Sequence, residues 1–165
     1  MAAIGASTGE FDIYIALETG DTLDTAVLAY LDTFYPFYDY GSIADNDVDM
    51  YSFYLEAGDS VTIDIDAEYF GSPLDSFIRL FDSTGLEIAS NDDLDGLDSF
   101  IEFTADVSDY YSVGVSGVGN SACDPLVAGS GSTGASTGEF DIYIALETGD
   151  TLDTAVLAYL DTFYP

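Results

Sequence analysis

The chain of 165 residues has no histidine, lysine or tryptophan, and Arg79 is its only cation. Without histidine it lacks the commonest general base and the commonest transition-metal ligand. No tryptophan is present to grip a sugar, and no serine sits in a nucleophile-elbow pattern, so glycoside hydrolysis and acyl transfer lack their usual tools. The chain is therefore expected not to be an enzyme. Cys123 stands alone, which excludes an intrachain disulfide and leaves either a spare thiol in a loop or a link between chains. No run reaches the ~18 apolar residues of a membrane span, and membrane insertion is not expected. Residues 1–4 are too short for a signal peptide, so export is an expectation from composition.

Against that one cation stand 32 Asp plus Glu, a formal net charge of -31. Salt bridges cannot neutralise such a surface, and at physiological ionic strength charges feel each other over roughly 8 Å. Bound cations, high salt or both must relieve the repulsion. Nucleic acid and anionic membranes are very poor partners on the same ground. Hydrophobic residues at 48% and aromatics at 15% are enough to bury a core. Short runs of Val, Ile, Thr, Tyr and Phe between Gly, Asp and Ser are strand-and-turn composition.

Residues 5–36 recur letter for letter at 134–165, an identical block of 32 positions offset by 129. Identity of that length implies a tandem repeat with a period of 129 residues. Within it GEFDIYIAL alternates Phe11, Ile13, Ile15 and Leu17 against polar and small positions, a half-buried strand. Phe140, Ile142, Ile144 and Leu146 do the same in the second copy. The unit boundary is placed near Glu18. Residues 18–146 then form one complete module, 1–17 carry the last strand of a preceding one, and 147–165 begin the next.

Further strands follow from alternation. Two lie in 49–66 around a turn at Ala57, Gly58 and Asp59, and a hairpin lies in 76–90 around Ser83, Thr84 and Gly85. Others lie at 99–105 and 110–117, followed by the loop 119–138 and the repeated strand. Residues 22–34 read as either a short helix or a strand. Seven to eight short strands at this spacing predict an all-β, antiparallel β-sandwich of jelly-roll-like form.

The series ETGDTL at 18–23, GSIADNDVDMYSF at 41–53, AGDSVTI at 57–63, LDSFIRLFD at 74–82, ASNDD at 89–93 and YYSVGV at 110–115 resembles the bacterial pre-peptidase C-terminal domain, over about residues 18–146. The resemblance implies a secreted β-sandwich module appended to proteases, collagenases and surface proteins. It also implies calcium held by the segment before the first strand, and in some members binding to collagen or polysaccharide.

Calcium wants 6–8 oxygens from carboxylates, amides and carbonyls, and two clusters have that density. The first is Asp45, Asn46, Asp47 and Asp49, which the resemblance implies Glu18 and Asp21 join. The alternative is a turn whose Asx side chains cap their own backbone. The second is Asn91, Asp93 and Asp95 at alternate positions, with Gly96 for a sharp turn and Glu102 where a twelve-residue calcium loop places its last ligand. There the alternative is that Glu102 shares a strand face with Phe100 and points to solvent. Asp64 and Asp66 read as a solvated strand face, and Arg79 as an outer-face residue pairing a carboxylate.

Phe34, Tyr35, Phe37, Tyr38 and Tyr40 form an aromatic run suited either to gripping a ligand or to packing between modules. Two functions are consistent with these features. One is a non-catalytic, calcium-stabilised repeat of an extracellular surface filament, assembling head to tail as a homopolymer, with the surplus strand free to complete a neighbour's sheet. The other is a secreted module attaching a larger protein to collagen or polysaccharide. A third explanation of the acidity is a salt-rich habitat with no specific metal.

Overall fold

The computed structural model describes residues 20–94 and 96–147. They form nine strands: β1 (Val27–Leu28), β2 (Phe37–Ile43), β3 (Asp49–Leu55), β4 (Ser60–Asp66), β5 (Ser76–Phe81), β6 (Glu87–Asn91), β7 (Phe100–Thr104), β8 (Asp109–Gly117) and β9 (Gly138–Glu147). The strands make two sheets, one in the order β1-β3-β8-β5-β6 and the other β2-β9-β4-β7. Every pairing is antiparallel except β1 alongside β3. The all-β sandwich expected from alternation is thus the observed fold, with β2 added to the strands read from sequence. Residues 22–34 contain both predicted alternatives in miniature, a single 3-10 turn at Leu23–Thr25 followed by two-residue β1.

Strict alternation decides which side chains go inward. In β4, Val61, Ile63 and Ile65 are fully buried while Thr62 and Asp64 face outward. They meet Tyr51, Phe53 and Leu55 of β3, Ile78 and Leu80 of β5, Val113 and Val115 of β8, and Phe140, Ile142 and Ile144 of β9 in one core between the sheets. Each such side chain contributes about 1.5–3 kcal/mol on leaving water. The turn after β3 does not close a hairpin. Glu56 through Asp59 instead carry the chain from the five-stranded sheet to the four-stranded one, fastened by Asp59 N donating to Glu56 O at 3.0 Å.

A smaller cluster of Val48, Met50, Phe81 and Cys123 lies on the outer side of the five-stranded sheet, covered by Leu23 and Ala26. Here Arg79 is drawn inward. Its Nε donates to Glu87 at 2.7 Å, its Nη1 to the Cys123 carbonyl at 2.7 Å, and its guanidinium stands 4.8 Å from the Phe81 ring centre. The carboxylate partner expected for Arg79 is present, but the Arg79 side chain is only 11% exposed. Cys123 is a buried free thiol. Burial pushes its pKa up, against the opposing pull of Arg79.

Candidate functional site

The loop between β2 and β3 carries the first acidic cluster. Asp47 folds back on its own turn, one carboxylate oxygen accepting Ala44 N at 3.0 Å and the other Val48 N at 2.9 Å. Asp45 accepts Gly134 N at 2.6 Å. Asn46 sits between them at φ 68°, a left-handed conformation that Asn tolerates. Asn120, fully buried, donates to Asp47 O at 2.9 Å and accepts Ser132 N at 2.6 Å. The loop is thereby stitched to residues 118–137. Asp49 is buried at the start of β3.

Asp21 approaches the same loop. Burial first, and the Asp47 charge second, raise its pKa. The donors gathered here are oxygens, the type a hard cation needs. Among the described residues Asn46 Oδ1 is buried with no hydrogen-bond partner, an acceptor a cation would satisfy. Among the described residues, however, no three acidic side chains converge closely enough to hold a metal ion. Glu18 lies outside the described residues, as do Phe11, Ile13, Ile15 and Leu17.

The second cluster is arranged differently. Asn91 ends β6, its Oδ1 accepting Phe100 N at 3.0 Å and its Nδ2 donating to Asp93 O at 3.4 Å. The amide therefore closes the 92–99 loop onto β7. Asp93 is exposed, and Asp95 lies outside the described residues. Glu102, exposed on β7, stands opposite Thr62 on the outer face of the four-stranded sheet.

That outer face gathers Tyr38 and Tyr40 of the aromatic run with carboxylates that the sequence reading did not bring to them. Tyr38 and Tyr40 of β2, Asp66 of β4, and Glu139 and Asp141 of β9, together with Phe70, line an open cleft of about 540 Å³. Asp66 and Asp141 are directly opposite across the β4–β9 ladder. The Tyr38 hydroxyl donates to Asp141 at 3.1 Å, and the Tyr38 and Tyr143 rings stand 5.1 Å apart. Tyr40 hydrogen-bonds Glu139, which raises its pKa.

Asp64, outward on the same strand as Asp66, is not a freely solvated group. Burial, then the charges of Asp66 and Asp98, push its pKa to about 6. Asp66 moves in the same direction through burial, Asp98 and Asp141. This corrects the expectation of a solvated face. Neighbouring strands and rings crowd these carboxylates, and the nearby charges are all negative. The signal was present in the alternation of Tyr38 and Tyr40, but Asp39 and Gly41 on the inward side of β2 hid it.

The profile of the bacterial pre-peptidase C-terminal domain matches residues 47–117, from the end of the acidic loop through β8. A probable subtilase-type serine protease of Deinococcus radiodurans is 38% identical over 96 residues, 58% of this chain but 12% of that protein. The chain thus spans a small part of its relative. Domains of the matched family occur in secreted proteins and are typically non-catalytic. Among solved structures, a periplasmic inhibitor of g-type lysozyme from Aeromonas hydrophila is similar, with a TM-score of 0.50 and 15% identity over 73% of this chain and 95% of that one. The pre-peptidase C-terminal domain of a Bacillus anthracis collagenase is similar with a TM-score of 0.46 and 16% identity, over 67% of this chain and 89% of its own. At such identities the likeness is one of fold alone. Among the described residues no helix is long and apolar enough to cross a membrane.

Proposed function

We propose that this chain is a non-catalytic, calcium-stabilised repeat unit of an extracellular surface filament or adhesin, its copies following one another head to tail. The observation that carries this reading is the duplication of 32 residues around a single sandwich. One copy of GEFDIYIALE supplies β9, so the other is surplus to that sandwich. Calcium would be held at the β2–β3 loop by Asp21, Asp47 and Asn46 Oδ1, with Asp45 and Asp49 within the same stretch of chain and Glu18, outside the described residues, as the further ligand the family resemblance implies. It would supply the positive charge that one buried arginine cannot.

A ligand bound only to the folded state stabilises it by ~2.7 kcal/mol at a hundredfold excess over its Kd. Chelation at low ionic strength should therefore lower Tm by several degrees, and calcium should restore it where sodium at matched ionic strength does not. Equal effects of the two ions would leave a salt-adapted surface without a specific metal. One ion per chain by calorimetry would point to the β2–β3 loop, and two would bring in the Asn91, Asp93 and Asp95 loop with Glu102.

A second reading, a module attaching a larger protein to collagen or polysaccharide, draws support from the cleft and from its exposed Tyr38 and Tyr40. In that case the protein would co-sediment with the insoluble polymer, and Tyr38→Ala with Tyr40→Ala would abolish the co-sedimentation. Electron microscopy separates the readings, with filaments expected for the first and dispersed particles for the second.

A further inference from the structure

On the outer face of the four-stranded sheet the side chains fall into rows. Tyr40 of β2 stands opposite Asp141 of β9, which stands opposite Asp66 of β4; Tyr38, Tyr143 and Asp64 make the next row. Directly opposed side chains on one face lie ~5 Å apart, so each row sets an aromatic ring beside a carboxylate. A second wall rises from the 3-10 turn Glu68–Phe70 and residues 71–73. Asp98 braces it by accepting Ala67 N and Glu68 N, both at 2.9 Å, and Gly71 N closes the turn on Glu68 O at 2.8 Å. β9 packs close against this wall, since a Cβ on Gly138 would stand 2.5 Å from Ser72 Oγ and 3.0 Å from Leu74 N. The cleft between the walls is thus fixed by strand pairing and hydrogen bonds before anything enters it, which lowers the ordering cost of binding.

The half-exposed rings of Tyr38, Tyr40 and Phe70 and the carboxylates of Asp66, Glu139 and Asp141 share this one opening. The chain supplies no positive side chain to answer them. Arg79, its only one, lies on β5 of the other sheet and is engaged by Glu87 and the Cys123 carbonyl. A second copy of the chain would hold its Arg79 in the same way. A metal ion does not suit the cleft either, because among the described residues no three acidic side chains converge closely enough to hold one. Spread carboxylates among aromatic rings suit a broader cation. A guanidinium is flat, stacks on Tyr or Phe, and donates through its fork to more than one carboxylate. The volume of about 540 Å³ is that of a small-ligand site, enough for one arginine side chain with the backbone on either side of it.

We propose that this cleft binds an arginine side chain presented by another protein, the guanidinium lying among the three rings with its N–H groups donating to the three carboxylates. Such a site rests on the attachment-module reading and narrows the partner to a protein with exposed arginine. A neutral polysaccharide would leave the carboxylate charges unanswered.

The test titrates the unaltered full chain, at low ionic strength, with a capped glycine peptide carrying one central arginine. A matched peptide carries citrulline, which keeps the shape and lacks the charge. Backbone amide NMR signals of Tyr38, Tyr40, Glu139 and Asp141 should shift with the arginine peptide, and the citrulline peptide should bind roughly tenfold more weakly. Tyr40→Phe keeps the ring and should bind within about twofold of the unaltered chain, whereas Tyr40→Leu should weaken binding roughly threefold to tenfold. Glu139→Gln, at an exposed position, should weaken it by a similar factor. Equal affinity for the two peptides, or shifts confined to residues outside the cleft, would overturn the proposal. So would an unchanged Kd in both Tyr40→Leu and Glu139→Gln. Capture by collagen or polysaccharide without any response to the arginine peptide would overturn the arginine site alone and leave the attachment reading standing. Binding of the peptide with neither polymer captured would support the arginine site and remove those polymers as partners.

Discussion

Asp64 shows how a surface strand can carry a titration with consequences for stability. In the folded chain its carboxyl keeps its proton up to about pH 6, against an ordinary value of 3.8. Between those limits the folded state binds more protons than the unfolded one, so stability falls as pH rises through the window and the loss is complete above it. Tm should accordingly be higher at pH 5 than at pH 7. Asp64→Asn should gain about 1–2 kcal/mol at pH 7 and flatten much of that slope, with Asp66, Asp21 and Asp75, whose pKa values are also raised, contributing to what remains. An unaltered slope in the variant, followed by differential scanning calorimetry, would contradict the assignment.

Arg79 makes the opposite case at the same scale. It is one cation among 32 acidic residues, yet its value lies in donating to Glu87 and to the Cys123 carbonyl. Arg79→Met strands that carbonyl and should cost about 1–3 kcal/mol. Thermal unfolding of this variant measures the cost.

Among the elements, the long connection between β8 and β9 is held by a few polar residues in place of a secondary structure of its own. Asn120 binds it to the β2–β3 loop from both ends of one amide. Ser136 donates its hydroxyl to Pro73 O at 3.3 Å and accepts Asp75 N at 2.8 Å. Replacing Asn120 with Ala removes its buried amide from the half-buried Asp47 carbonyl and the Ser132 N–H and should destabilise by about 1–2 kcal/mol. Limited proteolysis should then cut first within 118–137, the segment freed by the loss.

Strand β2 depends on a similar near contact. A side chain on Gly41 would collide with the Phe140 ring and come within 2.9 Å of Asp49 Oδ2. Much of the candidate site was legible at this scale. The acidic residues before β3, the β5–β6 hairpin and the repeated strand are all local patterns. The cleft was not, because the hydrogen bond from Tyr38 to Asp141 spans 103 residues of sequence.

At the scale of the whole molecule, a net charge of -31 makes neighbouring copies repel one another. Calcium at the acidic loop, as proposed above, would relieve that repulsion, and the chelation measurement tests it.

The amino-acid order by itself determined the all-β class, the alternating core positions, the duplication and the shortage of positive charge. Each is readable from the letters alone, by a period of two, a tally of ionisable groups or an exact match of one stretch with another. Tertiary structure alone decided that β3 and β4 belong to different sheets, that β9 runs between β2 and β4, and that Asp64 and Asp66 are crowded by like charges. Alternation tells a strand which face to bury but not which strand lies beside it, and that choice is made by pairing between residues far apart in the chain.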